Sequence, residues 1–461
     1  MAAAGLVVWA LLAMAGAYRW SAVPLWLGAL ALTAIRRPRL FPPEGFLLDA
    51  GLVALLAGVA IELLPIGAAV RDLIDPHAAP LLARLLVGAP PQAGRTLSIA
   101  PAATAWALFG LAGVFALFWT CRSLLAARGV RVMARTIAGA GLFVSVVAIV
   151  QRTSSIHRIY GIWRPDTASA QPFGPFVNRD HFATWMLMAI PLTLGYLMAH
   201  GEARGKDASR TPSLAARLTG VLEDTTRLWL GGAAAAMTLA LFGTLSRSGV
   251  LGLMAGVAAG GWFARSRLRP AARRRAGLWA AALVVLLGVW ANLGVIFSRF
   301  RHTLSDSGHR LEIWRETLPI IRDFWLTGTG AGTYPTAMLV YQTSSRSVFF
   351  NQAHDHYLQV LAEGGLLLAV PAALALAGLA ATARRALARD RTPLYWLRAG
   401  AAAGLCGVAV QSIWETGLRM PANAVLCAVL AAIVVHAPRM PGSGDPAAQR
   451  RNHLGTPRHH R

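Results

Sequence analysis

Long apolar runs, separated by short polar segments that contain arginine, follow one another along almost the whole chain. A helix needs about 20 predominantly apolar residues to cross a bilayer, and runs of that length predict about twelve crossings. The fold class that this pattern predicts is all-α, a polytopic transmembrane helix bundle that occupies residues 1–437. The predicted spans are 2–18, 21–35, 46–66, 101–121, 133–151, 180–200, 228–245, 247–264, 276–297, 357–383, 396–415 and 421–437.

The longest polar interruption covers residues 298–356 and predicts a large loop outside the bilayer. Within it, the segment 310–325 repeats apolar residues at intervals of three and four, the spacing of an amphipathic helix. Two tryptophans in that stripe favour a helix that lies in the membrane interface, and a soluble helix packed on the bundle is the alternative. The stripe consists of Leu311, Trp314, Leu318, Ile321 and Trp325.

Composition supports the membrane class, because only 14% of the residues are charged and 56% are hydrophobic. A soluble domain carries about 25% charged residues. The net charge is +24, but the arginines stand in short loops between apolar runs, where they act as topology signals. We therefore predict no nucleic-acid partner. Residues 438–461 are polar and basic, which predicts a disordered cytoplasmic tail.

The arginine bias also predicts the orientation of the spans. With a cytoplasmic N-terminus, the arginine-rich short loops fall on the cytoplasmic side, and segment 298–356 faces the opposite side. Arginine on that side works against the insertion rule, and an anionic ligand is the simplest explanation for it. For Arg322, beside Asp323, an ion pair is favoured, whereas Arg247 has no carboxylate near it in sequence. The outward arginines are Arg247, Arg299, Arg301, Arg310, Arg315, Arg322 and Arg419.

His354 and His356 flank Asp355 at the start of an apolar span. On a helix the second histidine points about 200° away from the first, so the two cannot bind one metal ion together and we predict no metal site. We also predict no cofactor. Imidazole titrates near neutral pH and is suited to accept a proton from a hydroxyl. Glu363 lies about 13 Å further along a continuous helix, too far for contact with His354. The alternate glycines of Gly328–Gly332 predict a tight turn.

Four motifs, in this order and on one predicted face, resemble the O-antigen ligase family. Relatives of that family include O-antigen polymerases and bacterial O-linked oligosaccharyltransferases. The resemblance is strongest over residues 230–380 and extends more faintly to 173–178 and 418–423. The motifs are Ser246-Arg-Ser-Gly249, Arg310-x3-Trp314, Gly328-x-Gly-x-Gly332 and Ala353-His-Asp-His-Tyr-Leu-Gln-x2-Ala-Glu-Gly-Gly365.

The resemblance implies an inverting, metal-independent glycosyltransferase of the bacterial inner membrane, with its active site facing the periplasm. The implied donor is a glycan on a polyprenyl diphosphate, and the acceptor is a hydroxyl of lipid A-core, a glycan or a protein. His354 matches the family's catalytic histidine, and Arg247 and Arg310 match the arginines that hold the diphosphate. Asp355 stands where the family usually has asparagine, and the second histidine leaves the choice of base open. The supporting candidates are His356, Asp355, Glu363 and Arg419.

Three functions fit the family resemblance, and one rival comes from another class. An O-antigen ligase is favoured over a polymerase of O-antigen or exopolysaccharide and over a protein O-oligosaccharyltransferase, although all of them share these motifs. A transporter of the same lipid-linked glycan would predict ionisable residues and broken helices at mid-span. The polar groups of this chain crowd one predicted face instead, which favours catalysis there.

Overall fold

The computed structural model describes residues 1–86, 96–125, 127–154, 158–166, 170–205, 224–265, 267–268, 274, 310–344 and 348–436. Within these ranges the chain is helical, and its only β-structure consists of isolated bridges. The all-α prediction is therefore confirmed. The helices are α1 (Ala2–Leu12), α2 (Arg19–Arg36), α3 (Phe46–Glu62), α4 (Ala68–Ile74), α5 (Ala78–Leu85), α6 (Pro101–Leu124), α7 (Ala127–Thr153), α8 (Arg179–Gly205), α9 (Thr225–Gly243), α10 (Arg247–Ala264), α11 (310–323), α12 (Tyr334–Tyr341), α13 (His356–Arg389), α14 (Leu394–Gln411) and α15 (Pro421–Val435).

Each predicted span coincides with a helix, except span 276–297, which lies outside the described residues. Among the described residues, 5 helices are long and apolar enough to cross a membrane, so this is a membrane protein. The count of twelve crossings stays a prediction. The start of segment 298–356 and the predicted tail 438–461 also lie outside the described residues. The five helices are Pro43–Glu62, Pro101–Leu124, Gly129–Thr153, Arg179–Arg204 and His356–Arg389.

The polar turns that the sequence places on one face do meet at one end of the bundle, here called the site end. The backbone N–H of His356, at the start of α13, donates to the carbonyl of Ser412, just after α14, over 2.8 Å. Helix α10 begins so close to α8 that a Cβ on Gly249 would lie 2.6 Å from that of Ala183. The ends of four helices therefore surround one region.

The arginine-rich loops gather at the other end of the bundle. Arg122, at the end of α6, binds Asp49 near the start of α3 with an N–O distance of 2.7 Å. Arg398, near the start of α14, binds Asp390 over 3.0 Å. Since α6 and α14 each have their opposite ends at the site end, the basic loops and the site end are separated by the length of the spans.

A small hydrophobic core separate from that of the bundle lies at the site end, and α5, α11 and α12 form it together. We call these three helices the cap. Because the cap has its own buried core, it holds α11 in a fixed position over the ends of α13 and α14. The buried residues of this core are Ala78, Leu81, Leu82, Ile99, Ile313, Ile320, Phe324, Tyr334, Ala337, Met338, Phe350, Ala353 and Ala362.

Helix α11 confirms the predicted helix, but the predicted stripe is not its buried face. Leu311, Leu318 and Trp325 are 46%, 54% and 58% exposed, while Ile313 and Ile320 are buried in the cap core. The segment is apolar on two faces, and the face with Ile313 and Ile320 packs against the cap core. Leu311, Leu318 and Trp325 point away from the protein, and their location in the membrane interface stays a prediction.

Reporter fusions test whether the two ends of the bundle face different compartments. We expect a reporter fused after residue 205 to be cytoplasmic and one fused after residue 340 to be periplasmic, because the insertion rule keeps arginine-rich loops inside. A fusion after residue 265 is the control. It should agree with residue 205, since Arg267 lies 3.7 Å from Glu202 at that end. The same compartment for residues 205 and 340 would contradict the orientation.

Candidate active site

His354 adopts a backbone conformation that is rare for its residue type. Its φ is +49°, in the left-handed region, which costs a non-glycine residue about 1–3 kcal/mol and clusters at functional sites. Neighbouring contacts fix it there. The Ala353 N–H donates to Oε1 of Gln359 over 2.8 Å. The Asp355 carboxylate accepts the N–H of Tyr357 over 2.8 Å and caps α13.

Arg310 and Trp314 reach the same loop from the cap. The indole N–H of Trp314 donates to the carbonyl of Ala353 over 3.1 Å. Arg310, one turn earlier, is the first residue of α11, and its side chain is 37% exposed. The spacing Arg310-x3-Trp314 therefore has a structural reason: the tryptophan ties α11 to the histidine loop, and the arginine stands over that loop.

The centre of the site is Glu415, in the turn between α14 and α15, a residue that the sequence analysis did not select. Its side chain is 1% exposed. Its Oε1 lies 3.6 Å from Nδ1 of His354 and 4.0 Å from Nε2 of His181, and its Oε2 lies 4.0 Å from Nη2 of Arg310. We call these four residues the Glu415 cluster.

The Glu415 carboxyl is held in its charged form. Burial alone would raise its pKa, but the adjacent imidazole of His354 and the charges of His181 and Arg310 outweigh burial and lower the pKa below its usual value. The result is a buried anion that can orient and stabilise whichever of its neighbours is positively charged.

His181 was also missed by the sequence analysis. It lies in the first turn of α8 with a side chain that is 12% exposed. Among the described residues, neither ring nitrogen has a hydrogen-bond partner. The amide of Asn423 donates to the carbonyls of His181 over 3.0 Å and of Gly417 over 2.9 Å, which ties α8 to the turn that carries Glu415.

Arg247 reaches the site end by a different route. It is the first residue of α10 and is exposed. Ser246 caps that helix by accepting the N–H of Gly249 over 3.2 Å, and Leu245 before it has a φ of +57°. The structure thus places Arg247 at the end of the bundle that holds Glu415, while the contacts with the Glu415 carboxylate come from His354, His181 and Arg310.

A second group of charges surrounds the glycine-rich turn. The Glu363 carboxylate accepts the N–H groups of Gly332 over 3.0 Å and of Tyr334 over 3.2 Å. Nη1 of Arg419 lies 3.6 Å from it. On the other side of the turn, Oε2 of Glu62 accepts the N–H of Ala331 over 2.7 Å. As expected, Glu363 lies away from His354, and among the described residues it binds this turn instead.

The turn itself confirms the prediction from its glycines. Gly328, Gly330 and Gly332 all have positive φ angles, of 69°, 109° and 80°. A Cβ on Gly328 would lie 2.2 Å from the carbonyl carbon of Glu363, so no other residue fits there without moving the backbone. Helix α13 is kinked at Gly365, whose φ is +50°, which makes room for the turn.

His356 belongs to the Glu363 group and not to the Glu415 cluster. The charged side chains near its ring are Arg419 and Glu363, whereas the contacts with Glu415 come from His354, His181 and Arg310. The sequence analysis assumed that His354 and His356 both lie on a helix, which is wrong: His354 precedes α13 with a left-handed φ, and His356 is its first residue. The two histidines are therefore separated by the backbone turn.

One smaller expectation concerns Arg322. Arg322 forms an ion pair with Asp323 over 2.9 Å, as favoured from the sequence. Arg299 and Arg301 lie outside the described residues. In the part of the chain that the structure describes, no group of three or more histidine, cysteine, aspartate or glutamate side chains is placed to hold a metal ion.

The comparison with protein families gave a match over the middle of the chain. Residues 232–373 match the family model described as O-antigen ligase. The matched range includes Arg247, Arg310 and His354, whereas His181 and Glu415 lie on either side of it. Among the curated proteins compared, none matched the chain.

Proposed function

Because residues 232–373 match the family model described as O-antigen ligase, we propose that the chain is an O-antigen ligase-type membrane glycosyltransferase. It moves a glycan from a polyprenyl diphosphate to an acceptor hydroxyl at the periplasmic face of the inner membrane. The observation that carries this proposal is the meeting of His354 and Arg310 at the buried carboxylate of Glu415. That arrangement pairs a base with a cation that can hold a phosphate.

His354 is the general base in this proposal. With a proton on Nδ1, the side that faces Glu415, the lone pair on Nε2 accepts the proton of the acceptor hydroxyl. The hydroxyl oxygen forms its new bond to the anomeric carbon on the face opposite the diphosphate. The bond from that carbon to the diphosphate oxygen breaks, and its electron pair leaves with the diphosphate, so the configuration inverts. The Glu415 carboxylate stabilises the imidazolium that forms.

Arg310 and Arg247 bind the diphosphate, which gains negative charge as it leaves. The guanidinium of Arg310 lies 4.0 Å from Glu415, a contact loose enough to leave its N–H donors for phosphate oxygens. Arg247 stands at the first residue of α10, where the helix N-terminus adds its own positive potential. Fixed positive groups of this kind stabilise the transition state without rearranging. No metal ion takes part in the proposed reaction.

Substituting the two arginines tests the donor site. We expect Arg310→Ala and Arg247→Ala each to raise the KM for lipid-diphosphate donor by about ten- to a hundredfold, the effect of losing a charge-assisted hydrogen bond of about 1.5–3 kcal/mol. Lysine should restore only part, since it cannot bind two phosphate oxygens in a planar fork. Initial rates at limiting donor measure the effect.

Arg322→Ala is the matched control for these variants, because Arg322 is exposed on the same helix as Arg310 and binds Asp323. Its donor KM should stay within about twofold of wild type, as is usual for surface substitutions of under about 0.5 kcal/mol. Near-normal transfer by both arginine-to-alanine variants would remove the proposed donor site.

The acceptor distinguishes a ligase from its relatives. The same base and cation serve a polymerase, which uses a second lipid-linked glycan, and a protein O-oligosaccharyltransferase, which uses a serine or threonine hydroxyl. A transporter is less well supported, because the Glu415 cluster lies at the ends of α8, α13 and α14 and not at mid-span. Supplying each acceptor to the purified protein with one donor identifies the activity.

A further inference from the structure

We infer that a cleft in the cap is a saccharide subsite, which holds a sugar unit away from the bond that is made or broken. The cleft has a volume of about 390 Å³ and lies among α5, α11 and α12. That volume is within the range of about 300–1,000 Å³ that ligand pockets occupy. The inference rests on the proposed function, because glycan transfer at the Glu415 cluster brings a glycan to this place.

The polar lining of the cleft combines hydrogen-bond donors with acceptors. Arg84 comes from α5 and Arg315 from α11, and both are exposed. Among the described residues, neither guanidinium is engaged in an ion pair. The carboxylates of Glu312 and Glu316 lie in the same lining. Two positive and two negative groups leave the cleft without net charge.

Charge balance decides which ligand class fits. A phosphate would gain from the arginines but would lie against Glu312 and Glu316, whose like charge opposes it. A sugar hydroxyl can accept hydrogen bonds from the guanidinium groups and carries no charge, so the two carboxylates do not oppose it. The lining therefore favours a neutral polyhydroxyl ligand over an anion.

The walls of the cleft are held in place by internal contacts. The Glu316 carboxylate is 7% exposed and accepts the N–H groups of Thr343 over 2.9 Å and of Ser344 over 2.7 Å, which fixes the rim. The hydroxyl of Tyr341 donates to Asp323 over 2.9 Å, which fixes its ring in the wall. A preformed cleft of this kind loses little conformational entropy when it binds a ligand, because its walls are already ordered.

The position of the cleft determines which part of the glycan it can bind. Arg315 follows Arg310 by five residues on α11, which is about 7.5 Å along the helix axis and about 140° around it. Since Arg310 stands over the Glu415 cluster, a glycan must pass around α11 to reach Arg315. The cleft consequently binds a sugar unit further along the glycan, in either the donor or the acceptor.

Binding measurements with lipid-free glycans test the subsite. The donor probe is the oligosaccharide released by mild acid from the host cell's polyprenyl-diphosphate pool, fractionated by length. The acceptor probe is the core oligosaccharide released from the host cell's lipopolysaccharide. Each is titrated into the full-length protein in nanodiscs, as wild type, Arg84→Ala, Arg315→Ala and the control Arg322→Ala.

We expect each of the two cleft variants to raise the Kd of the longer oligosaccharides of one probe by about ten- to a hundredfold, from loss of charge-assisted hydrogen bonds. The Kd of the shortest fraction and all values for Arg322→Ala should stay within about twofold of wild type. The probe that responds is the glycan that occupies the cleft. Unchanged affinities of both cleft variants for both probes would overturn the inference.

Two further outcomes separate the alternatives. Competition by inorganic phosphate at millimolar concentration, lost in the cleft variants, would replace the saccharide subsite with an anion site and overturn the inference. These titrations need no transfer, so they stand apart from the proposed function. Glycan transfer without arginine-dependent binding would contradict the subsite alone, and arginine-dependent binding without transfer would contradict the proposed function alone.

Discussion

Glu415→Gln is expected to lower the rate of glycan transfer at saturating donor by about 10²-fold or more, within the range that general-base catalysis contributes. Glutamine keeps the shape of the side chain and removes its charge. The imidazolium that forms on His354 during the reaction then has no anion beside it. The effect should fall on kcat, since the proposed role is to stabilise a charge that appears in the transition state.

Single-turnover rates with excess donor measure this effect, and protein inserted in the membrane is matched between variants. Glu44→Gln is the control, because Glu44 pairs with Arg389 over 2.7 Å at the other end of the bundle and is 63% exposed. It should keep wild-type rates. A kcat for Glu415→Gln within about threefold of wild type would mean that the buried carboxylate does not assist His354 in the reaction, since support of general-base catalysis is expected to contribute about 10².

His354→Ala is expected to abolish transfer or nearly so, by about 10²–10⁴-fold, while donor binding persists. His354→Asn is the most informative replacement. Asparagine tolerates the left-handed φ of this position and keeps a hydrogen-bonding side chain, but it cannot accept a proton. His356→Ala should have a milder effect, because the charges near its ring are those of Arg419 and Glu363.

Transfer rates in membranes with matched expression distinguish these roles. Substantial turnover by His354→Asn or His354→Gln, or a larger loss at His356 than at His354, would remove His354 from the role of base. The double variant of His354→Ala with Glu415→Gln adds an internal check. If the two residues act as one unit, it should be hardly slower than His354→Ala alone.

The helices were readable from the sequence because a helix in lipid must be apolar along a whole span, and that pattern does not depend on its neighbours. Helix α11 shows a feature that the apolar pattern does not predict, namely which face is buried. Both of its faces are apolar, and nothing local says that Ile313 and Ile320 meet the cap core while Leu311 and Leu318 remain exposed. Which face is buried depends on α5, a helix far away in the chain.

The residues of the candidate site also differ in how well the sequence predicts them. Arg310 and His354 lie within motifs of recognisable spacing, so they could be selected from the sequence. Glu415 and His181 could not, because Glu415 meets His354 and His181 only through the packing of α8, α14 and the turn before α15. One signal was available. Glu415 is an acidic residue in a turn between two apolar helices, and such residues are costly to bury.

The backbone of His354 was the other feature that the sequence concealed. A left-handed φ is unusual for histidine, and the contacts that fix it come from Trp314 and Gln359, on either side along the chain. A helical start was therefore the natural expectation for residues 354–356. The departure from it directs His354 to Glu415 and leaves His356 with Arg419 and Glu363.

The most direct test of the central claim is a transfer assay with the purified full-length protein in vesicles, with polyprenyl-diphosphate-linked glycan, acceptor and EDTA. Mass spectrometry follows the glycan on the acceptor and the free polyprenyl diphosphate. The account predicts that both appear in equal amounts, with inverted anomeric configuration in the product. Movement of intact donor across the membrane, without release of polyprenyl diphosphate, would contradict it.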